Sequence, residues 1–455
     1  MRVAPVFIAL ALTVTVHGGA GQSDRSAFTM ALTGDSIITR PISVHSAPEF
    51  LKLMDITRGA DAAFTNLEML FHDYESYAMT ESGGTWMRAD PALARELVWA
   101  GFDFVSRANN HAGDYGVAAM RLTTKYVAAA GLVQAGVGES LAEAREAHFL
   151  ETPKARVALV AAASTFPDHA RAGASRGDIP ARPGLNPLRF TTTYVVTRDQ
   201  LASLKDVASA LGLPRSATGP LTLFGQRFEE GATPALKREP REEDIRAIAA
   251  VVSNASRLAD LTVVSLHGHE GGATRFVPAD FIVTFAHAMI DAGADVFVGH
   301  GPHVLRGIEI YKGRPIFYSL GDFIFENETV LRAPADAYDQ YRLGADAHVA
   351  DFDDARSNFD RRGFPADRAI WESVVAVPTW RGRTMTDLKL YPISLGFGRP
   401  RVERGRPALA GADLARKILE DLARLSKPFG TTLRVDGATG HVELPAAQSQ
   451  RAVVK

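Results

Sequence analysis

The sequence predicts a layered α/β protein with a largely buried sheet, on three observations. Short β-rich apolar runs alternate with amphipathic helical patterns along most of the chain. Some runs, Leu261–Leu266 above all, are continuously apolar, as strands covered on both faces are. Polar residues gather just past the runs, where ligands of such sheets sit.

In chain order, Phe28–Leu32 reads as a strand, Pro48–Arg58 as a helix and Ala62–Asn66 as a strand. Asp90 and Pro91 form an N-cap and first-turn pair opening a helix to Ala100. Phe104–Ser106, Leu132–Gln134 and Arg156–Ala163 read as strands, with Val117–Ala130 a helix between the first two. Helices Glu242–Leu258 and Ala279–Ala292 then alternate with strands Leu261–Leu266 and Asp295–Val298. From Val304 the rhythm changes to hairpins, one turning at Lys312-Gly313 and one at Arg381-Gly382-Arg383, before a helix from Asp413 to Leu425.

Residues 1–20 read as a signal peptide: Arg2, an apolar run from Val3 to Val16, then Gly18-Gly19-Ala20. The run is shorter than the roughly 20 residues that span a bilayer. Cleavage near Gly21 and export to periplasm, cell surface or medium are therefore expected. Residues 28–400 read as one domain with insertions near 191–240 and 329–368, and 401–455 as a C-terminal helix and tail packing on it. The 329–368 stretch, dense in Asp, Arg and Tyr, is unusually long for a loop and reads as a lid or substrate-binding arm, or equally as a surface excursion of no chemical consequence.

Fifty basic residues against 52 acidic ones leave a net charge of −2, so no global field draws the chain to nucleic acid or an anionic membrane. The absence of cysteine excludes disulfides, thiolate metal sites and a cysteine nucleophile.

What remains is the pattern at strand ends. Asp35 follows the first strand, Asn66 and Glu68 end the second, and Asn110, His111 and Asp114 follow the third. His267 and Glu270 end a fourth, His300 and His303 a fifth, and Asp322 follows the first hairpin. If these strands are parallel, the side chains converge on one sheet edge. Imidazole, carboxylate and amide ligands without thiolate suit Zn, Mn, Fe or Ni. Two such ions can clamp a substrate oxygen, with Glu68 or Asp35 as the bridge. Asp35, Glu68, Asn110, His267, His300 and His303 are the expected ligands. His45, His72, His169, His287 and His348 lack the placement and read as structural. Arg88 is a candidate clamp for a carboxylate or phosphate.

These blocks resemble the CapA (poly-γ-glutamate capsule biosynthesis) family, whose domain is similar in architecture to calcineurin-like metallophosphoesterases. The resemblance rests on Thr33-Gly34-Asp35, Thr65-Asn66-Leu67-Glu68, Ala108-Asn109-Asn110-His111, Gly299-His300-Gly301-Pro302-His303 and Ser319-Leu320-Gly321-Asp322-Phe323. It covers roughly residues 28 to 326. Three departures stand out: His267-Gly268-His269-Glu270 for His-Trp-Gly-x-Glu, Gly301 for a middle histidine, and Asp322 for asparagine. The resemblance implies an exported, metal-dependent hydrolase-type protein with two divalent ions (Mn, Zn or Fe), acting on poly-γ-glutamate or a related surface polymer. It implies His111 as proton donor to a leaving group. An anionic polymer or small acidic substrate, membrane-bound synthesis partners and no nucleic acid are the expected partners. A non-catalytic polymer-binding or export protein and a phosphoesterase are the alternatives.

Overall fold

The computed structural model describes residues 27–213 and 219–444; the expected leader and its cleavage point lie outside them. The elements that position the site are β1 (Phe28–Ile37), α1 (Pro48–Gly59), β2 (Ala62–Leu67), α2 (Ala94–Trp99), β3 (Phe104–Ser106), α3 (Gly116–Ala129) and β4 (Val133–Ala135). They continue with β5 (Arg156–Ala163), α4 (Glu242–Leu258), β6 (Leu261–His267), α5 (Asp280–Asp291) and β7 (Val296–His300). The C-terminal part adds β8 (Ile308–Tyr311), β9 (Arg314–Phe317), β10 (Asp322–Phe325), β11 (Glu372–Arg381), β12 (Thr384–Ser394) and α6 (Ala412–Ser426). The alternation legible in the sequence is thus an α/β architecture.

The strands form two main sheets rather than the single edge expected. In one, β12, β11, β1, β2, β3 and β4 are successive neighbours, and β10 pairs with the far end of β1. In the other the order is β8-β9-β7-β6-β5. The strands β1 to β4 run parallel, as do β5, β6, β7 and β9. Strand parity divides the side chains between layers. Leu32, Phe64, Phe104, Leu159, Val263 and Val298 share one core, so these faces of the two sheets pack together. Their chain neighbours face outward. Ala31, Ala63 and Val105 pack on Phe50 and Leu53 of α1 and Leu97 of α2. Val160, Val264 and Phe297 pack on Ile248 of α4 and Phe285 of α5. The result is helix, sheet, sheet, helix.

That parity aims the site. Phe64 faces inward, and so does Asn66 two residues on; Val263 leads to His267, and Val298 to His300. β1 breaks the rule. Leu32 pairs with Phe64 and Asp35 with Asn66, so β1 carries one extra residue across this interval. A bulge of this kind re-aims the following side chain, and it turns Asp35 from the helix side to the inter-sheet side. Gly34 makes the bulge possible: the Asp35 N–H donates to Gly321 O at 3.0 Å, and a Cβ on Gly34 would run into that carbonyl.

The 191–240 insertion forms a four-stranded sheet of its own with helix Arg198–Ala210 and a small core of Leu201, Ala208, Leu221 and Leu223. The 329–368 stretch, aperiodic in sequence, contains helices Ala335–Gln340 and Val349–Ser357. Its Ala337 and Phe352 pack with Leu70, Trp86 and Tyr115, beyond the ends of β2 and β3. The tail after α6 forms a hairpin, Leu433–Asp436 with Thr439–Val442, which extends the first sheet.

Gly34→Ala tests the bulge. Overpacking against fixed backbone costs about 1–3 kcal/mol, so a clear drop in thermal midpoint is expected together with weakened metal binding. An unchanged midpoint and unchanged binding would show that β1 tolerates the methyl and that Asp35 is not aimed by this contact.

Candidate metal centre

Asp35 is fully buried where the sheets meet. Its Oδ1 accepts from Asn66 Nδ2 at 2.7 Å and its Oδ2 from the Gly301 N–H at 2.8 Å. Nδ1 of His300 and Nδ1 of His267 lie 3.2 and 3.6 Å from Oδ1. His267 and His300 are register partners on β6 and β7, and their Nδ1 atoms stand 3.1 Å apart. Ser265, one inward position back on β6, meets Nε2 of His300 at 2.7 Å and turns Nδ1 toward Asp35.

Glu68 lies opposite. Nε2 of His267, His111 and His303 stand 3.7, 3.8 and 3.9 Å from its Oε1. Both its carboxylate oxygens are buried without a hydrogen-bond partner. His269, whose Nε2 is 3.0 Å from that of His267, belongs to the same cluster. Three sets of carboxylate and imidazole atoms come within ligating reach of one another: Asp35, His267 and His300; Glu68, His267 and His269; Asp35, Glu68 and His303.

Five of the six expected ligands, Asp35, Glu68, His267, His300 and His303, therefore gather in one place. For the sixth, Asn110, Nδ2 donates to Gly83 O at 2.8 Å, and Oδ1 is buried and unpartnered. Asp322 is the register partner of Asp35, and its Oδ1 meets His303 Nδ1 at 2.8 Å. His303 holds a left-handed backbone with φ of 57°, a costly conformation for a non-glycine residue. His111 stands apart in role: Nδ1 meets Asp114 Oδ2 at 2.6 Å, and Asp114 also accepts from Gly83 N and Met87 N at 2.9 and 2.7 Å. Asn66 Oδ1 takes a 3.3 Å hydrogen bond from Asn109.

Two candidates have their polar partners elsewhere. Glu270 accepts from Ser164 and Thr165 hydroxyls, both at 2.7 Å, and so fastens the loop after β5 to the loop after β6. Arg88 donates to His72 O and to Asp73 at 2.7 Å, and lies over the Tyr74 ring. Reading by residue type passed over His269. The signal for it was its spacing, two residues beyond His267. Its ring fills the space beside Gly301, where a Cβ would come within 3.0 Å of His269 Cδ2. With φ of 114°, Gly301 also has a backbone that a histidine rarely adopts. Gly268 N and His267 Nε2 would crowd the same Cβ at 3.0 and 3.2 Å.

Electrostatics separate the carboxyls. Burial raises Asp35, but hydrogen bonds and charge from His267 and His300 outweigh it and hold it well below the usual range. Burial, then the Asp35 and Asp322 charges, push Glu68 well up. Burial likewise takes Asp322 up to about 7 against the opposing pull of His303. Burial lowers His267 to about 4 and His269 well below its usual value. Three buried carboxyls, several orphaned oxygens and imidazoles in near contact are what a divalent cation would satisfy. The donor set fits one.

Facing parallel sheets with histidines, carboxylates and amides at their strand ends define an α/β protein with a candidate centre for hard or borderline divalent ions. The chain belongs to the family described as bacterial capsule synthesis protein PGA_cap, whose model matches residues 29–327. This bears out the resemblance read from the strand-end blocks. A Sinorhizobium fredii protein, y4sH, is 38% identical over 94% of this chain and 96% of its own length. The capsule biosynthesis protein CapA of Bacillus anthracis is 27% identical over 69% of this chain and 64% of its own. Among solved structures, a novel phosphatase from Mycoplasma pneumoniae matches 81% of this chain and 94% of its own, at 10% identity and a TM-score of 0.39.

His72, read as structural, is fully buried beside Arg88. Burial, with the Arg88 charge, lowers it from 6.5 to about 4. The unfolded chain therefore binds more protons between these values. The contribution of His72 to stability is complete above pH 6.5 and is lost as pH falls toward 4, by up to about 3 kcal/mol. Thermal unfolding across this window should show a flatter pH dependence in His72→Gln than in the parent. Parallel curves would refute the assignment.

Proposed function

We propose that this chain is an exported metal-dependent hydrolase acting in the synthesis or processing of poly-γ-glutamate or a related anionic cell-surface polymer. The observation that carries the reading is the unpartnered Glu68 carboxyl facing Asp35, His267, His269 and His303, with His111 beside it on a separate support. A pure binding protein has use for cations, but not for a histidine backed by its own carboxylate next to them. Family membership supports the polymer, since the relative in Bacillus subtilis, 45% identical over 93 residues, is named a PGA biosynthesis protein. The short apolar leader supports export. No helix among the described residues is long and apolar enough to cross a membrane.

Asp35, Glu68, Asn110, His267, His269, His300 and His303 are the residues that would hold one or two divalent ions. Such an ion supplies Lewis acidity toward an amide or phosphoryl oxygen and acidifies water. His111 does the proton work. Asp114 accepts from Nδ1–H and balances the charge of a ring protonated on both nitrogens, so the Nε2–H is directed at the Glu68 side of the pocket, where it passes to a leaving nitrogen and leaves the neutral ring behind. Asp114 cannot swing away, because two backbone N–H groups also hold it. The two sheets exclude bulk water, which strengthens each of these interactions.

The purified mature protein is expected to carry divalent metal by elemental analysis and to release glutamate or short glutamyl peptides from poly-γ-glutamate. A chelator should abolish the release. Metal with phosphodiester cleavage and no polymer cleavage would replace this reading with the phosphoesterase.

His111→Ala should keep metal and fold and lose about 10²–10⁴ in turnover. His300→Ala should lose metal as well. Equal metal loss in the two variants would make His111 a ligand and overturn its role as proton donor.

A further inference from the structure

A second cavity, of about 110 Å³, lies under helix Val349–Ser357 and is lined in part by Asn327, Asp353, Arg356 and Phe364. It borders the metal centre through one aromatic ring. Phe364 stands 5.3 Å from the His303 ring on one side and 5.5 Å from the Arg356 guanidinium carbon on the other. The cavity has room for several waters or for a small polar group.

Its polar atoms are not satisfied from within the protein. Asp353 and Asn327 are each 2% exposed, and Oδ2 of the first and Oδ1 of the second have no hydrogen-bond partner. Both atoms accept, so what is missing is a donor. Arg356 lacks the converse. Among the described residues no salt bridge closes on its guanidinium, although Glu328 lines the same cavity. Glu328 is already taken by Arg404, at 2.6 Å to each oxygen, and Asp360 holds the other side of Arg404 at 2.7 and 2.9 Å. Nearby, Arg401 pairs with Asp354 at 2.6 Å and keeps its Nε unpartnered, 3.7 Å from Glu328, so none of these ion pairs takes up Asp353, Asn327 or Arg356. An ammonium brings three donors, and a carboxylate matches a guanidinium fork.

We propose that this cavity seats a terminal α-amino-carboxylate, with Asp353 and Asn327 receiving the ammonium and Arg356 the carboxylate. The proposal rests on the poly-γ-glutamate reading and narrows it. In a γ-linked glutamyl chain the amino-terminal residue keeps its α-ammonium and α-carboxylate free on one carbon, because its side-chain carboxyl forms the amide. In an α-linked chain that α-carboxyl is consumed by the peptide bond. The subsite therefore distinguishes linkage as well as chain end. A polymer seated there extends past Phe364 toward His303.

Calorimetric titration of the full mature chain with γ-linked and α-linked triglutamate tests this. Charge-assisted hydrogen bonds favour the γ-linked trimer by about 10-fold or more. N-acetylated γ-triglutamate, which lacks the ammonium, should bind as weakly as the α-linked trimer. Arg356→Ala should erase the linkage preference by weakening the γ-linked trimer, and the isosteric Asp353→Asn should erase the difference between free and acetylated γ-linked trimers without emptying the core. Equal binding of the two linkages by the parent chain, or of free and acetylated trimers, would sink the proposal. Free glutamate binding as tightly as the γ-linked trimer would assign the cavity to an amino acid and overturn its role as a chain-end site. Metal-dependent polymer hydrolysis without linkage preference defeats the subsite alone. Linkage-selective binding without metal-dependent turnover defeats the hydrolase reading alone.

Discussion

The Asp35 carboxylate belongs to both sheets at once. It accepts from Asn66 on the neighbouring strand of its own sheet and from the Gly301 backbone at the end of β7 in the other. Every other group in the centre is placed relative to this join. His267 and His300 approach it from the second sheet, and Glu68 and Asp322 crowd it from the first. Burying unpaired carboxylates costs several kcal/mol each, so this arrangement persists only if imidazoles, protons or a cation offset the charge. The opposite shifts of Asp35 and Glu68 express that constraint.

The layers around the join make it rigid. Helices α1 and α2 cover one sheet and α4 and α5 the other, so the strands can deliver side chains only into the space between them. Supporting groups then fix the rings: Ser265 behind His300, Asp322 behind His303 and Asp114 behind His111. The 329–368 arm reaches this space from outside, bringing Phe364 against His303. It also carries Asp353 and Arg356, which line the second cavity.

The departures from the family pattern read differently once the rings are in place. Gly301 leaves no room for a side chain, because Gly268, His269 and His267 all close on the place a Cβ would take. Asp322 adds a third buried carboxyl, pushed up to about 7 by burial, and carries a hydrogen bond to His303. Neither relation can be read from one position at a time.

Alternation of apolar runs and helical patterns was sufficient for the α/β class, because each element's buried face is written into its own local periodicity. The clustering of Asp, Glu, Asn and His after strands was sufficient to name five residues that converge, because parallel strands put their carboxyl ends together. The division of those strands between two sheets was not legible, since pairing depends on partners far along the chain. The bulge that turns Asp35 inward was not legible either, because one extra residue in β1 is defined only against the register of β2. His269 went unassigned although it stands two residues beyond His267, because the return of its ring onto His267 Nε2 is set by how the stretch after β6 packs. Arg88 was named for its type, and its partners were settled by the folding of the loop around His72 and Asp73. Local chemistry and periodicity are properties of the chain; register, facing and the pairing of charges are properties of the packed interior.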